Sequence, residues 1–447
     1  MADNLDSFVV KLEERAAKLG KLIENAPRPF TIEFAGTPKS GKSTSVEAVR
    51  HFFTRQGFKV HVLVERASVC PIPMKGHLFF NTWCASTMLA ELLANIETAA
   101  DMIIIDRGLF DALVWLTLQR RRGELTDCEA QRIEAFLLLP RWRNLIDLPV
   151  VMSVSAQEAI IRENNVRVTT KPASIMNLEV LDAITASVRL AIAQYQSQFR
   201  GLIEYETSGH KVRESNAHLI SSILDKLEFF ADPEIIVVPR EILSTLPLTD
   251  GGQFSPDASD ALAACITRHG RFVQRSQAEL DDNLIQIVAC GILTRDSRLF
   301  VFERRERDPK YKLYGKSTIW QGCHVRRAGD QLTRALINDA LLERITQSLF
   351  LSRAFPLKEL GYCWQKDDPN DSRHFGIMFR VEIDNENTAV DLRKKEFRSG
   401  RGHGLCGGFV ELSELRSSQS DVNVESWSVT TLRSAQHLIS GNSNERY

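Results

Sequence analysis

The sequence has no long apolar run, no excess of charge of one sign and no closely paired cysteines. No stretch approaches the roughly 20 consecutive apolar residues that a membrane-spanning helix needs. The 56 Lys and Arg residues nearly cancel the 57 Asp and Glu residues, so no global charge favours a nucleic acid or an anionic membrane as partner. At 447 residues the chain exceeds one ordinary hydrophobic core, and we expect two or three domains.

The eight cysteines are scattered along the chain without any C-x-x-C pair. This spacing argues against a zinc site and against a disulfide framework in so long a chain, and it predicts reduced, mostly buried thiols. Residues 1–7 contain no basic region followed by an apolar core, so we expect no secretory signal there. Together these absences predict a cytoplasmic protein that makes no membrane contact.

A phosphate-loop motif follows a short apolar strand pattern near the start of the chain. Phe30, Ile32 and Phe34 alternate with other residues as in a strand, and apolar residues at helical spacing follow the loop. The intervening segment fits G-x-x-x-x-G-K-[ST] in every position. A chance glycine-rich turn is the alternative, but the full match between strand and helix favours a nucleotide site. The expected nucleotide-binding residues are Gly36, Thr37, Pro38, Lys39, Ser40, Gly41, Lys42, Ser43 and Thr44.

The chemistry of each loop position follows from its residue type. Gly36 and Gly41 allow the backbone to wrap a phosphate, and the following helix would direct its free N–H groups at the anion. Lys42 is expected at the surface of a cleft, with its ammonium on the β- and γ-phosphates, and Ser43 is expected to hold Mg²⁺. ATP or another nucleoside triphosphate, with Mg²⁺, is therefore the predicted ligand.

Charged residues end two further predicted strands, at 59–65 and 101–106. The alternation of strands and helices predicts a doubly wound α/β domain with a parallel sheet, whose ligands bind at the carboxyl ends of the strands. A single charged pair is more often a solvated surface ion pair. Side by side at a phosphate loop, the strand-ending residues predict a site for Mg²⁺ and for neutralising a phosphoryl group. These residues are Glu65, Arg66, Asp106, Arg107 and Asp111.

This succession resembles the nucleoside and nucleoside-monophosphate kinases of the thymidylate-kinase and deoxynucleoside-kinase group over about residues 28–231. Besides the loop, Glu65-Arg66 and Asp106-Arg107-Gly108, the resemblance includes Arg162 and Arg167 at the end of a helix, before a polar, lid-like segment 168–177. It implies phosphate and Mg²⁺ roles for Lys42 and Ser43, and a general-base or metal-organising role for Glu65 or Asp106. Arg107, Arg162 and Arg167 would be phosphate clamps. The chain has no clear nucleobase-recognition motif, which leaves the acceptor open.

The second half of the chain has hairpin-like strand patterns and one helix pattern over about 330–349. Their order resembles the Nudix hydrolase fold over about residues 284–435. That family binds Mg²⁺ through an Arg-Glu…Glu-Glu pattern, and this chain has Asn338, Asp339, Leu342 and Glu343 at the corresponding positions. Because leucine cannot bind a hard cation, we expect a Nudix-like α+β domain without ordinary hydrolase activity.

Four segments are therefore predicted: an N-terminal amphipathic helix (1–27), a P-loop kinase-like domain (28–231), a connecting segment (232–283) and a Nudix-like domain (284–447). The leading hypothesis is phosphoryl transfer from a nucleoside triphosphate to a nucleoside or nucleotide, beside a domain that binds a nucleotide-like ligand. The alternative is a regulatory protein in which the loop is a nucleotide switch and the second domain a sensor or partner surface. The sequence leaves the oligomeric state open, a homo-oligomer included.

Overall fold

The chain forms two compact units, Met1–Ala231 and Asp232–Tyr447, each with its own sheet and hydrophobic core. Their helices and strands are those of a computed structural model of the chain. The described residues are 2–23, 26, 28–73, 77–166, 168, 175–246, 256–303, 315–351, 355–366, 372–383, 390–392, 407–417 and 424–434.

The first unit alternates strands with helices along its length. Its strands are β1 (Phe30–Gly36), β2 (Val60–Leu63), β3 (Met102–Asp106), β4 (Leu148–Ser153) and β5 (Ile203–Glu206). Its helices are α1 (Ala2–Ile23), α2 (Lys42–Arg55), α3 (Leu78–Asn95), α4 (Leu109–Arg121), α5 (Asp127–Leu137), α6 (Pro140–Arg143), α7 (Ala156–Val166), α8 (Leu178–Tyr195) and α9 (Val212–Ala231).

The five strands form one parallel sheet in the order β2-β3-β1-β4-β5. Helices α1, α2 and α9 contribute to the core on one face, and α3, α4 and α8 to the core on the other. The central strand β1 is buried along its whole length because both of its faces are covered. This arrangement confirms the predicted fold class for the first half of the chain, and it places the loop after β1 in the middle of the sheet edge.

The two faces of β1 differ in chemistry. Ile32 and Phe34 lie in the apolar core shared with α2. The opposite face carries Thr31, Glu33 and Ala35, all of them fully buried. A carboxylate in the centre of a buried strand is unusual, because an ionised side chain loses its hydration there unless other groups stabilise it.

The second unit is α+β with a mixed sheet. Its strands are β6 (Glu234–Pro239), β7 (Arg271–Gln274), β8 (Leu284–Arg295), β9 (Arg298–Glu303), β10 (Ser317–Thr318), β11 (Trp320–His324), β12 (Leu349–Leu351), β13 (Leu357–Cys363), β14 (His374–Glu382), β15 (Val390–Leu392) and β16 (Gly408–Glu411). Its helices are α10 (Arg240–Ser244), α11 (Pro256–His269), α12 (Arg275–Ala278), α13 (Arg334–Ser348), α14 (Leu412–Ser417) and α15 (Ser426–Ser434).

Strand β8 is the centre of this sheet, parallel to β14 and antiparallel to β6, β9 and β11. The segment 232–283, expected as a connection, contributes β6 and β7, and Val237 of β6 pairs with Gln286 of β8. Apolar side chains of β6 are fully buried, Ile236 and Val238 among them. This segment is therefore part of the sheet rather than a linker, because its apolar residues need the same core.

Among the described residues, no helix combines the length and the apolar character that crossing a bilayer requires.

Candidate active site

The loop between β1 and α2 depends on a glycine at its first position. Gly36 has a φ of 122°, and a Cβ built there would lie 1.9 Å from the carbonyl oxygen of Met152. Gly41, the residue before α2, has a φ of 89° in the left-handed region. The loop backbone can therefore turn tightly over the ends of β1 and β4 only with these two glycines.

Lys42 turns back into the loop that precedes it. Its Nζ donates to the carbonyl oxygens of Gly36 at 3.1 Å and Thr37 at 2.6 Å and to Ser40 Oγ at 3.4 Å. The side chain is buried rather than at a cleft surface as expected. Burial is the main cause that lowers the pKa of Lys42 to about 7, and the charge of Arg107 acts in the same direction.

Ser43 and Asp106 meet at the ends of adjacent strands. Because β1 and β3 are parallel with Phe34 opposite Asp106, the carboxylate lies beside the start of α2. Ser43 Oγ donates to Asp106 Oδ2 at 2.9 Å, while the buried Oδ1 has no hydrogen-bond partner. A hydroxyl beside a carboxylate with one unsatisfied oxygen is a donor set suited to Mg²⁺.

Arg107 is held between two carboxylates. Its Nε forms an ion pair with Glu65 Oε1 at 2.7 Å, and its Nη1 lies 3.2 and 3.1 Å from the two oxygens of Asp111. Burial lowers the pKa of Arg107, but the charges of Asp111 and Glu65 outweigh it and leave the pKa above its ordinary value. The backbone of Arg107 has a φ of 63°, a left-handed conformation that non-glycine residues rarely adopt. Arg66, in contrast, points to Glu91 on α3 at 3.5 Å.

Arg162 lies against the outer side of the loop. Its guanidinium donates to the carbonyl oxygen of Lys39 at 3.1 Å and to that of Thr207 at 2.7 Å. An ion pair of 2.6 Å between Lys39 Nζ and Glu163 provides a second contact between the loop and α7. Arg162 thus contacts the loop backbone. Arg167 and most of the lid-like segment 168–177 lie outside the described residues.

The other loop residues fix the loop or face outwards. Thr37 donates its N–H to the carbonyl of Met152 at 2.9 Å, and its Oγ1 accepts from Val154 N at 3.1 Å. Pro38 is buried, whereas Ser43 and Thr44 are exposed in the first turn of α2. The outward-facing start of α2 is where an anion would meet free N–H groups.

Glu33 was not predicted as a site residue. Its Oε1 accepts from the backbone N–H groups of Gly108 at 3.0 Å and Asp111 at 2.9 Å, whereas its buried Oε2 has no partner. Burial raises the pKa of Glu33 to about 7, and the charge of Asp111 adds to this effect. The sequence signal was present, since a glutamate stands among apolar residues immediately before the phosphate loop.

Asp111 connects the loop to the arginine. Besides Arg107, its carboxylate accepts from the backbone N–H of Gly36 at 3.2 Å and from Trp115 Nε1 at 3.1 Å. The Asp111 side chain is almost fully buried. One carboxylate therefore fixes the first glycine of the loop and the cation at the end of β3.

The Nudix-like positions all lie on α13. Asp339 and Glu343 are exposed and four residues apart, hence on one side of the helix, while Leu342 is half-buried. Asn338 Oδ1 is buried without a hydrogen-bond partner. Arg344 Nε donates to the carbonyl oxygen of Gly322 at 3.3 Å. Within the described parts of the chain, no three His, Cys, Asp or Glu side chains are grouped to hold a metal ion.

His324 is a half-buried residue of β11, and its Nε2 atom is buried. Its ring centroid lies 5.5 Å from that of His374 on β14. Burial is the main cause that lowers the pKa of His324 well below its ordinary value, so the ring is neutral near pH 7. His403 lies outside the described residues.

Comparisons with known proteins give partial likenesses, and no protein-family model matches the chain. Protein YmaB of Bacillus subtilis (strain 168) is 23% identical over 202 residues, covering 44% of this chain and 94% of that protein. Tm1382, a protein assigned provisionally to the Nudix hydrolases, is 18% identical with a TM-score of 0.34, covering 46% of this chain and 98% of its own. Deoxyadenosine kinase from M. mycoides is 16% identical with a TM-score of 0.35, covering 44% of this chain and 99% of the kinase chain.

The buried carboxyl of Glu33 predicts a pH-dependent stability. Its pKa in the fold, about 7, lies above the ordinary value of 4.5, so the fold binds the proton more tightly than the unfolded chain does. The free energy of unfolding should therefore fall as pH rises from about 4.5 to about 7. Because glutamine does not titrate, the decrease in the free energy of unfolding over this pH range should be smaller by about 3 kcal/mol in Glu33→Gln. Urea unfolding at pH 5 and pH 7.5 measures it.

Thr31→Val, on the same face of β1, is the matched control and should keep the wild-type pH slope. A Glu33→Gln protein with that same slope would show that Glu33 does not titrate in this range.

Proposed function

We propose that the first unit transfers the γ-phosphoryl group of ATP, or another nucleoside triphosphate, to a nucleoside or nucleotide. The observation that carries the proposal is the meeting of three groups at the ends of adjacent strands. These are the loop lysine Lys42, the Ser43–Asp106 pair at 2.9 Å and the Arg107–Glu65 pair at 2.7 Å. Phosphoryl transfer needs positioning and charge neutralisation, and this set of groups supplies both.

Mg²⁺ fits beside Ser43 and Asp106, which would hold it through the hydroxyl and the unsatisfied carboxylate oxygen. When bound, it supplies charge neutralisation on the phosphate oxygens. Lys42 then exchanges its contacts with the loop carbonyls for phosphate oxygens. The first turn of α2 binds phosphate through its backbone N–H groups.

Glu65 is the carboxylate placed to accept the proton of the attacking hydroxyl. Asp106 already accepts from Ser43, which favours the metal-organising role for it. The Glu65 side chain is 35% exposed, so a substrate can reach it. Its ion pair with Arg107 fixes its position. Arg107 neutralises charge on the transferring group. Arg162 supports the loop from outside, and a clamp role for Arg167 stays a prediction.

The second unit, in this proposal, binds a nucleotide-like ligand without hydrolysing it. Leu342 removes one of the carboxylates that a hydrolase of this kind needs, and Asp330 is engaged by Arg327 at 2.5 Å. Asp339 and Glu343 alone leave a divalent cation with too few oxygen ligands for tight binding.

The competing function of the first unit, a nucleotide switch, differs in needing only an ordered water at the γ-phosphate. Labelled ATP incubated with a panel of nucleosides and monophosphates separates the two.

Exchanging Asp106 for Asn should lower kcat by about 100-fold or more and raise the Mg²⁺ concentration needed for half-maximal rate, because an amide oxygen binds the cation weakly. The affinity for the nucleotide should change far less, since Lys42 and the loop backbone remain. Steady-state kinetics over a Mg²⁺ titration test this. Asp127→Asn, at an exposed ion pair with Arg120, is the control. Unchanged turnover in Asp106→Asn would move the metal role to another carboxylate.

Nucleotide binding should take up close to one proton at pH 8 and almost none at pH 6. Lys42, with a pKa of about 7, is mostly neutral at pH 8, and the phosphate charge raises this pKa on binding. Affinity should accordingly weaken as pH rises above 7. Calorimetry of MgATP binding in two buffers of different ionisation enthalpy counts the protons. Lys42→Met should abolish the uptake, and an uptake that persists there would contradict the assignment.

The full-length protein should release no phosphate or pyrophosphate from nucleoside diphosphate derivatives in a Mg²⁺-dependent reaction of the second unit. Robust hydrolysis that disappears in Glu343→Gln, but survives in Glu414→Gln on α14, would overturn this expectation and make the chain a fusion of two enzymes. Equilibrium dialysis with the same compounds measures the ligand binding that the proposal requires.

A further inference from the structure

Glu33 is buried beneath the site and has no assigned part in the transfer itself. Its carboxylate is fully buried on the central strand and faces the turn between β3 and α4. The fit is close, because a Cβ on Gly108 would lie 2.7 Å from Glu33 Cδ. A side chain in such a place can act on the reaction only through the groups that it holds.

The start of α4 depends on this carboxylate. The first backbone N–H groups of a helix have no partner within the helix, and a side chain at the N-cap usually accepts from one of them. The N-cap of α4 is Gly108, which has no side chain. Glu33 Oε1 instead accepts from Gly108 N and Asp111 N, so a carboxylate from β1 takes over the capping of α4.

The capped turn carries the residue that joins the two halves of the site. The backbone N–H of Asp111 donates to Glu33, and the Asp111 carboxylate accepts from Gly36 N at 3.2 Å and from Arg107 Nη1 at 3.1 Å. The left-handed backbone of Arg107, at a φ of 63°, needs surroundings that hold it in place. A shift of the first turn of α4 would therefore displace the loop glycine and the arginine together.

We propose that Glu33 is a positioning residue, which caps α4 so that Asp111 bridges the phosphate loop and Arg107. Its kinetic consequence rests on the proposed phosphoryl transfer, whereas its structural consequence does not. The role needs a hydrogen-bond acceptor at this place rather than a charge, so glutamine should replace glutamate.

The first test compares variants of the full-length protein. Glu33→Met fills the space without an acceptor, and it should lower kcat by about 10- to 100-fold while the KM for ATP changes less than about threefold. Gly108→Ala, which pushes the carboxylate away, should do the same. Glu33→Gln should stay within about threefold of wild type, as should Thr31→Val on the same strand face. A purely structural role would lower the melting temperature without this split between kcat and KM.

The second test needs no catalysis. Trp115 Nε1 donates to Asp111 Oδ2, so its ring reports the position of that carboxylate. In protein labelled with 5-fluorotryptophan, Trp115→Phe identifies the ¹⁹F signal of this residue among the six tryptophans. Glu33→Met and Gly108→Ala should shift or broaden the Trp115 signal, and Glu33→Gln and Thr31→Val should leave it in place.

An unmoved Trp115 signal in Glu33→Met and Gly108→Ala would overturn the proposal, and so would a kcat within threefold of wild type in both. An equal loss of kcat in Thr31→Val would assign the effect to general disturbance of β1 and would likewise overturn it. If wild-type protein transfers phosphate to no acceptor, the proposed function fails. The Trp115 signal then decides alone on the positioning role. Should Glu33→Met not fold, Gly108→Ala gives the same decision.

Discussion

The parallel pairing of β1 with β3 is the constraint on which the site depends. Its register sets Phe34 opposite Asp106, and the next backbone N–H, that of Arg107, donates to the carbonyl of Phe34 at 2.9 Å. The two strands therefore end side by side, one in the phosphate loop and the other in the Asp106–Arg107 pair. Each later contact of the site, including Ser43 with Asp106 and Gly36 with Asp111, requires this alignment.

The charges around this pairing are unequal in number. Two cations, Lys42 and Arg107, lie among the carboxylates of Glu65, Asp106 and Asp111, with Glu33 buried behind them. Burial disfavours any net charge that is left uncompensated. Burial accordingly raises the pKa of Glu33 to about 7, and Asp106 Oδ1 is left without a hydrogen-bond partner. A divalent cation with its phosphates would complete this electrostatic setting.

Local patterns predicted most of the first unit and only part of its site. The phosphate loop and the strand ending in Asp106 are contiguous in sequence, so a motif and an apolar run were enough to find them. Burial of Lys42 and the turning of Arg66 towards Glu91 depend on packing between distant segments, which no local pattern records. The contacts of Glu33 could not be predicted for the same reason, because its partners, Gly108 and Asp111, lie 75 and 78 residues away in the sequence.

In the second unit, the apolar core residues and the acidic residues lie on different sides of one helix. Helix α13 is capped by Thr333, and its buried side chains include Ile337, Leu341 and Ile345, all in the core. Asp339 and Glu343 lie on its exposed side. An exposed carboxylate contributes little to folding. The packing of α13 therefore does not depend on which residues stand on its exposed side, which is why the order of strands and helices predicts an architecture better than it predicts an activity.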